Sequence, residues 1–175
     1  MPKPLHILKS TEVYRGKLIR VDVDRIIEPH GVRAVREVVH HGGSVVVLAH
    51  MSDGRIVLVR QYRYPVRQYL WELTAGGLKP GEGPLAAARR ELLEETGYRA
   101  KKFRHLLDFF PSPGILTEKM YLVEATELTR SKAQPDPDER IEVGHFTPVQ
   151  VMRMLKSRQI RDAKTVVGLF WLLLG

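Results

Sequence analysis

Between Gly76 and Tyr98 the chain carries a spacing that leaves it few ways to fold. In order stand Gly76, five residues, Glu82, seven residues, Arg90-Glu91-Leu92, one residue, Glu94-Glu95, one residue and Gly97-Tyr98. Pro84 suits the first position of a helix, where its missing N–H would have no partner anyway, and Gly97 suits the position just past a helix end. A helix is therefore predicted over Pro84 to Thr96. On it Glu91 and Glu95 lie four apart and stack on one face, with Glu94 beside them. Three carboxylates this close repel one another, so a compensating cation is expected, and hard oxygen donors select Mg²⁺ or Mn²⁺. Leu85, Ala88 and Leu92 form an apolar stripe, expected opposite the carboxylates and against a sheet. Arg90, four residues before Glu94, can orient it. A Glu-rich surface helix with ordinary i,i+4 pairs would account for a lone E-x-x-E-E. It does not account for seven residues at fixed spacing, which chance supplies at roughly 10⁻⁸ per starting position.

The rest of the chain reads as strands and two further helices. Alternating stretches such as Val21/Val23 and Val32/Ala34, interrupted by Pro29-His30-Gly31, predict antiparallel strands over residues 10–40. The β-branched runs Ser44 to His50 and Arg55 to Arg60 flank Ser52-Asp53-Gly54, which predicts a hairpin. Short strands are expected at Leu70 to Thr74, Leu106 to Phe110, Met120 to Ala125 and Ile141 to Phe146. Thr147 to Ser157 and Asp162 to Leu174 read as helices, the second apolar on most sides. One domain over residues 1–175 is expected, of the α+β class, with a mixed sheet between helices.

Charge and composition narrow the function classes. The 175 residues carry 28 Lys or Arg against 20 Asp or Glu, with 43% hydrophobic residues, the profile of a soluble globular protein. Residues 71–143 hold 11 basic and 13 acidic side chains, while both flanks are basic. A basic surround with an acidic centre suits a polyanion bridged to carboxylates by metal ions. No dense Lys/Arg run or aromatic RNA motif points to nucleic acid. The longest apolar run, near Val166 to Leu174, falls short of the ~18 residues that cross a bilayer. The absence of cysteine excludes disulfides and thiolate chemistry, and a cytoplasmic location is expected. The histidines show no regular ligand spacing and are given no catalytic role.

The segment from 76 to 98 resembles the Nudix box, G-x5-E-x7-R-E-U-x-E-E-x-G-U with U a bulky aliphatic residue; Tyr98 in the last aliphatic slot departs from it. The resemblance implies the Nudix fold, an α/β/α sandwich with a mixed β-sheet, here with N-terminal antiparallel strands over 1–40. It implies metal ligands at Glu91 and Glu95, Glu94 ligating or assisting, and the carbonyl of Ala75 as a further ligand. Metal ions neutralise phosphate charge and acidify water while a carboxylate takes its proton, so Mg²⁺, or Mn²⁺, is the expected cofactor.

Motifs outside the box are similar to the ADP-ribose pyrophosphatase branch. These are Tyr14-Arg15-Gly16, Arg36-Glu37, Gln61-Tyr62-Arg63, Glu72, Ser112-Pro113-Gly114 with Pro113 sixteen residues past Gly97, Glu118, and Ile160 to Thr165. By that resemblance Arg36, Glu37 and Arg63 are substrate contacts, the arginines suited to phosphate. Glu118 falls near the terminal ribose, and Lys17 and Leu18 where the partner subunit contacts adenine. Gly77, Leu78, Ser112, Pro113 and Gly114 also fall against substrate. For Arg63 and Arg67 the bland alternative is a solvated strand face. Several relatives use a glutamate of the late acidic loop as the general base, where Pro137 stands here. Glu139 is the nearest substitute and Asp138 the second; otherwise the base is Glu94 or Glu95. The branch implies a homodimer built on the N-terminal strands and hydrolysis of ADP-ribose to AMP and ribose 5-phosphate. GDP-mannose, ADP-glucose, NADH or FAD are the rival substrates, and a non-catalytic nucleotide-sensing module is the rival class.

Overall fold

The computed structural model describes residues 4–132 and 140–174. The chain divides into two compact units: a larger one of Ser44–Phe109 with Met120–Gly175, and a smaller one of the residues up to Gly43 with Phe110–Lys119.

In the larger unit the apolar run Ser44–Ala49 forms strand β4, every residue of it buried. That is the signature of a strand covered on both faces. It lies inside a four-stranded sheet of order β7-β4-β9-β8, with β7 Thr74–Gly77, β9 Met120–Arg130 and β8 Tyr98–Phe109. β4 runs parallel to β9 and antiparallel to β7, so the sheet is mixed. Successive β4 side chains point to opposite faces. Val45, Val47 and Ala49 join a core with Ala87, Ala88 and Leu92 of α1 (Pro84–Thr96). Val46 and Leu48 join the other core, with Val151 and Met154 of α2 (Pro148–Lys156) and Leu169 of α3 (Ala163–Leu174). The sheet is thus sandwiched between α1 on one face and α2 with α3 on the other, the α/β/α layering expected.

A second, three-stranded sheet of the larger unit has the order β10-β5-β6, with β5 Ile56–Arg63, β6 Gln68–Glu72 and β10 Glu142–Phe146. Here one expectation fails. The Ser52-Asp53-Gly54 turn forms, with Met51 N–H bonded to the Arg55 carbonyl at 2.8 Å, but β4 and β5 share only the His50/Ile56 bridge. Both edges of β4 are taken by β7 and β9, so β5 has no free ladder to join and turns into the other sheet. Arg67 is not on a strand face either; it follows a 3-10 turn and adopts a left-handed φ of 52°.

The smaller unit is an antiparallel sheet of β1 (His6–Arg15), β2 (Arg20–Ile27) and β3 (Arg33–His40), as the N-terminal alternation predicts. The loop that carries Ser112 to Thr117 docks on β3: Val39 donates to the Ile115 carbonyl at 2.8 Å and Thr117 N–H to the Val39 carbonyl at 2.9 Å.

Candidate active site

The helix α1 begins and ends where the sequence places it. Gly97 takes a φ of 70° and its N–H closes on the Leu93 carbonyl at 3.0 Å, a left-handed cap that glycine adopts without a Cβ clash. Its apolar stripe differs from expectation. Leu85 is 41% exposed, and Ala87 with Ala88 and Leu92 makes the packed face. Glu91 and Glu95 do not sit opposite this face; they border it and are themselves buried, at 9% and 4% exposure. The reason is the period of 3.6: positions 88, 91, 92 and 95 fall on one side of the helix.

Arg90 organises the acidic groups. Its Nε and Nη2 fork onto the two Glu82 carboxylate oxygens at 3.0 and 2.8 Å, Nη1 reaches Glu91 at 2.5 Å and Glu94 at 3.1 Å, and Nη2 also reaches the Gly77 carbonyl at 3.0 Å. Helical spacing by itself pairs Arg90 with Glu94 alone. The bidentate geometry with Glu82 is the stronger bond; Glu82 precedes the helix, so helical spacing could not reveal it, although both residues belong to the box. Glu82 also accepts the Lys79 N–H at 3.0 Å, which closes the loop before the helix. The Arg90 fork holds the Glu82 carboxyl down at about 2 and raises the Arg90 guanidinium further.

Gly76 explains itself by close approach. A Cβ there would stand 2.0 Å from Glu91 Oε1 and 2.2 Å from its Cδ, so only glycine lets the carboxylate rest on the β7 backbone. β7 is an edge strand, and alternate backbone groups of an edge strand point away from the ladder. Ala75 stands on this strand opposite Val46 of β4. Among the described residues no three acidic or histidine side chains already converge on one point as a metal cage; Arg90 lies on Glu91 and Glu94 instead. A carboxylate has about four lone-pair sites, so a bond to Arg90 and ligation of a cation are compatible at Glu91 and Glu94. Two buried carboxylates, a third beside them and an edge-strand backbone form an all-oxygen donor set that fits Mg²⁺ or Mn²⁺.

Arg63, at the end of β5, is fixed by a second fork. Its Nε and Nη2 bond the Glu72 oxygens at 2.9 and 2.7 Å, and Lys164 Nζ meets Glu72 Oε2 at 2.5 Å. Glu72 and Lys164 are both buried. The bond to Glu72 raises the Arg63 guanidinium, and Glu95 adds to that field, which ties Arg63 electrically to the box helix. Leu78 is partly buried and packs against the core under α1.

The remaining candidates lie in the smaller unit. Arg36 bonds Glu28 and is half exposed. It pairs across from Asp24, and Glu37 from Val23, so the two neighbours point to opposite faces of the sheet. Lys17 and Leu18 form the exposed β1–β2 turn. Ser112, Pro113 and Gly114 form an exposed turn in which the Ser112 carbonyl accepts the Leu116 N–H at 3.0 Å. Glu118 lies 3.4 Å from His41 Nδ1. Glu139 and Asp138 fall outside the described residues. The departure at Tyr98 has a clear use: the ring is buried and its hydroxyl lies 3.0 Å from His145 Nε2 on β10. A phenol carries a polar handle that an aliphatic side chain lacks.

With this geometry in hand, comparisons with known proteins agree. A NUDIX domain model matches residues 40–167. The chain therefore belongs to the Nudix family and is a hydrolase. It is 38% identical over 167 residues to an ADP-ribose pyrophosphatase of Bacillus subtilis (strain 168), covering 94% of this chain and 90% of the relative. It is 35% identical over 167 residues to a methanol dehydrogenase activator of Bacillus methanolicus, with the same coverage of each. A solved structure of an ADP compounds hydrolase superposes with a TM-score of 0.86 at 25% identity, covering 98% of this chain and 94% of that one. Nudix hydrolases generally use divalent metals, and among the described residues no helix is long and apolar enough to cross a membrane.

Proposed function

We propose that the chain hydrolyses the pyrophosphate of a nucleoside diphosphate derivative, ADP-ribose above others, giving AMP and ribose 5-phosphate. The observation that carries the reading is the pair of buried carboxylates, Glu91 and Glu95, on one face of α1, with Glu91 seated on Gly76 and Arg90 tying Glu82, Glu91 and Glu94 together. Burying like charges this closely is costly unless a cation compensates. Glu91 and Glu95, with Glu94 and the Ala75 carbonyl, would hold Mg²⁺ or Mn²⁺. When bound, the metal neutralises the diphosphate and makes water more acidic. The chain's own residues do the rest. Arg90 keeps the carboxylates at one spacing, and Arg63 offers N–H groups to a phosphate oxygen. A carboxylate takes the proton of the attacking water, either Glu139 or Asp138 in the late loop or Glu94 or Glu95 in the box. Rate should rise toward alkaline pH, because the attacking water must lose that proton.

A homodimer on the N-terminal strands belongs to the same proposal. β1 exposes Ile7, Leu8, Val13 and Tyr14 at 55–60%, apolar area that a second copy would cover. A cytoplasmic location goes with it. The test is hydrolysis by the purified chain in Mg²⁺, scored as kcat/KM over ADP-ribose, GDP-mannose, ADP-glucose, NADH and FAD. ADP-ribose is expected to lead; a higher value for another member reassigns the substrate, and no release from any member overturns the reading.

A further inference from the structure

The larger unit holds an ionic chain of which the proposed chemistry uses only the exposed end. It starts at Arg63, passes through the fully buried Glu72 to Lys164, and continues to Asp162, 2.9 Å from Lys164 Nζ. Asp162 Oδ2 accepts the Thr165 hydroxyl at 2.6 Å, and the Thr165 oxygen accepts the Leu73 N–H at 2.8 Å. The charges of the four ionic groups cancel. As a stabiliser this arrangement is a poor choice: ions taken from water rarely contribute more than apolar side chains of the same volume would. Every link, however, converges on the orientation of one exposed end. Arg63 spends Nε and one side of Nη2 on Glu72, and its side chain stays 37% exposed. The Nη1 group and the outer Nη2 N–H are the donors this fork leaves over, in a fixed plane.

We propose that Glu72, braced by Lys164, is a positioning residue that locks the Arg63 guanidinium so that its outer N–H edge meets a phosphate oxygen of the substrate. This rests on the pyrophosphatase reading above and adds a residue that touches no substrate. A planar fork held by a fully buried carboxylate cannot swing, so little rotamer freedom remains to be lost when phosphate binds.

The test is steady-state hydrolysis of ADP-ribose in Mg²⁺ by four proteins: wild type, Glu72→Gln, Arg63→Lys and the double variant, with thermal melting alongside. Glu72→Gln is expected to raise KM about tenfold with kcat changed less than about threefold, since a bound phosphate contact is weakened while the box is untouched. Arg63→Lys should raise KM at least as much. In the double variant KM should match Arg63→Lys alone, because Glu72 acts only through Arg63. A lowered melting temperature with wild-type KM in Glu72→Gln, or effects that multiply in the double variant, overturns the proposal. Should Glu72→Gln yield no folded protein, Lys164→Met decides. It leaves the fork but removes its brace, and a KM within about twofold of wild type counts against the idea. Wild type inactive on every substrate would sink the pyrophosphatase reading itself. An active wild type with insensitive variants would sink only the role of Glu72.

Discussion

Gly76→Ala puts the proposed site under a defined strain. The alanine Cβ would meet Glu91 Oε1 at 2.0 Å, Cδ at 2.2 Å and Oε2 at 2.5 Å, where ordinary contact begins near 3.4 Å. The carboxylate must therefore retreat by about 1.4 Å. The backbone has no reason to move, because Gly76 is not among the residues with positive φ. The obstacle is the far end of a flexible side chain, which yields by an off-rotamer turn costing about 1 kcal/mol. The retreat also breaks the 2.5 Å bond from Arg90 to Glu91. Stability should thus fall by no more than about 2 kcal/mol once that lost bond is added. Catalysis should suffer far more, since a displacement of about 1 Å at reacting groups costs on the order of 10²-fold. AMP release from ADP-ribose at saturating Mg²⁺ reads the catalytic loss in kcat, and urea unfolding reads the loss of stability. Gly83→Ala is the control, for its new Cβ meets nothing within 4 Å. If Gly76→Ala keeps kcat within about threefold of wild type, Glu91 is not held where the proposed chemistry needs it.

Five further outcomes are expected. Glu82 is depressed from 4.5 to about 2 by Arg90, so its contribution is complete above pH about 4.5 and is lost as pH falls toward 2. Screened by the solvent around the pair, that is on the order of 1 kcal/mol, and Glu82→Gln should flatten the drop in unfolding free energy between neutral pH and pH about 3. Burial, and then Arg55, lowers the His145 pKa from 6.5, so His145 destabilises the fold as pH falls below about 6.5 and the unfolded chain takes up the proton first. Tyr98→Phe should cost about 1 kcal/mol at pH 8 by removing the hydroxyl beside His145, measured by thermal melting. Chelation with EDTA should abolish hydrolysis, and added Mg²⁺ should restore it; activity that survives chelation counts against the carboxylate site. Glu139→Gln should lower kcat by about 10² or more if that residue is the base; near-normal turnover would move the role to Asp138 or the box.

Local signals carried the box well and its surroundings poorly. Pro84 and Gly97 mark α1 because each solves a backbone problem within one turn of itself, and Glu91 with Glu95 share a face by helical period alone. The hairpin expected from Ser44 to Arg60 failed for a non-local reason: a strand has two edges, and β7 and β9 arrive from elsewhere in the chain to occupy both. Leu85 misled because a stripe drawn at one spacing cannot say where the sheet ends, and Ala87 packs in its place. Glu82 was recognised as part of the motif, yet its bond to Arg90 crosses from loop to helix and has no periodic signature.

The amino-acid order alone determined the family, the box helix with its caps, the three acidic side chains on it and the strands on either side, since each depends on neighbours within a few positions. Only the tertiary structure decided which charge meets which. Lys164 reaches Glu72 across 92 positions, Tyr98 reaches His145 across 47, and Gly76 matters because a carboxylate fifteen positions later lies on its Cα. Such pairings are set by how sheets and helices stack in space, and burial then makes each one strong by removing the water that would compete for it.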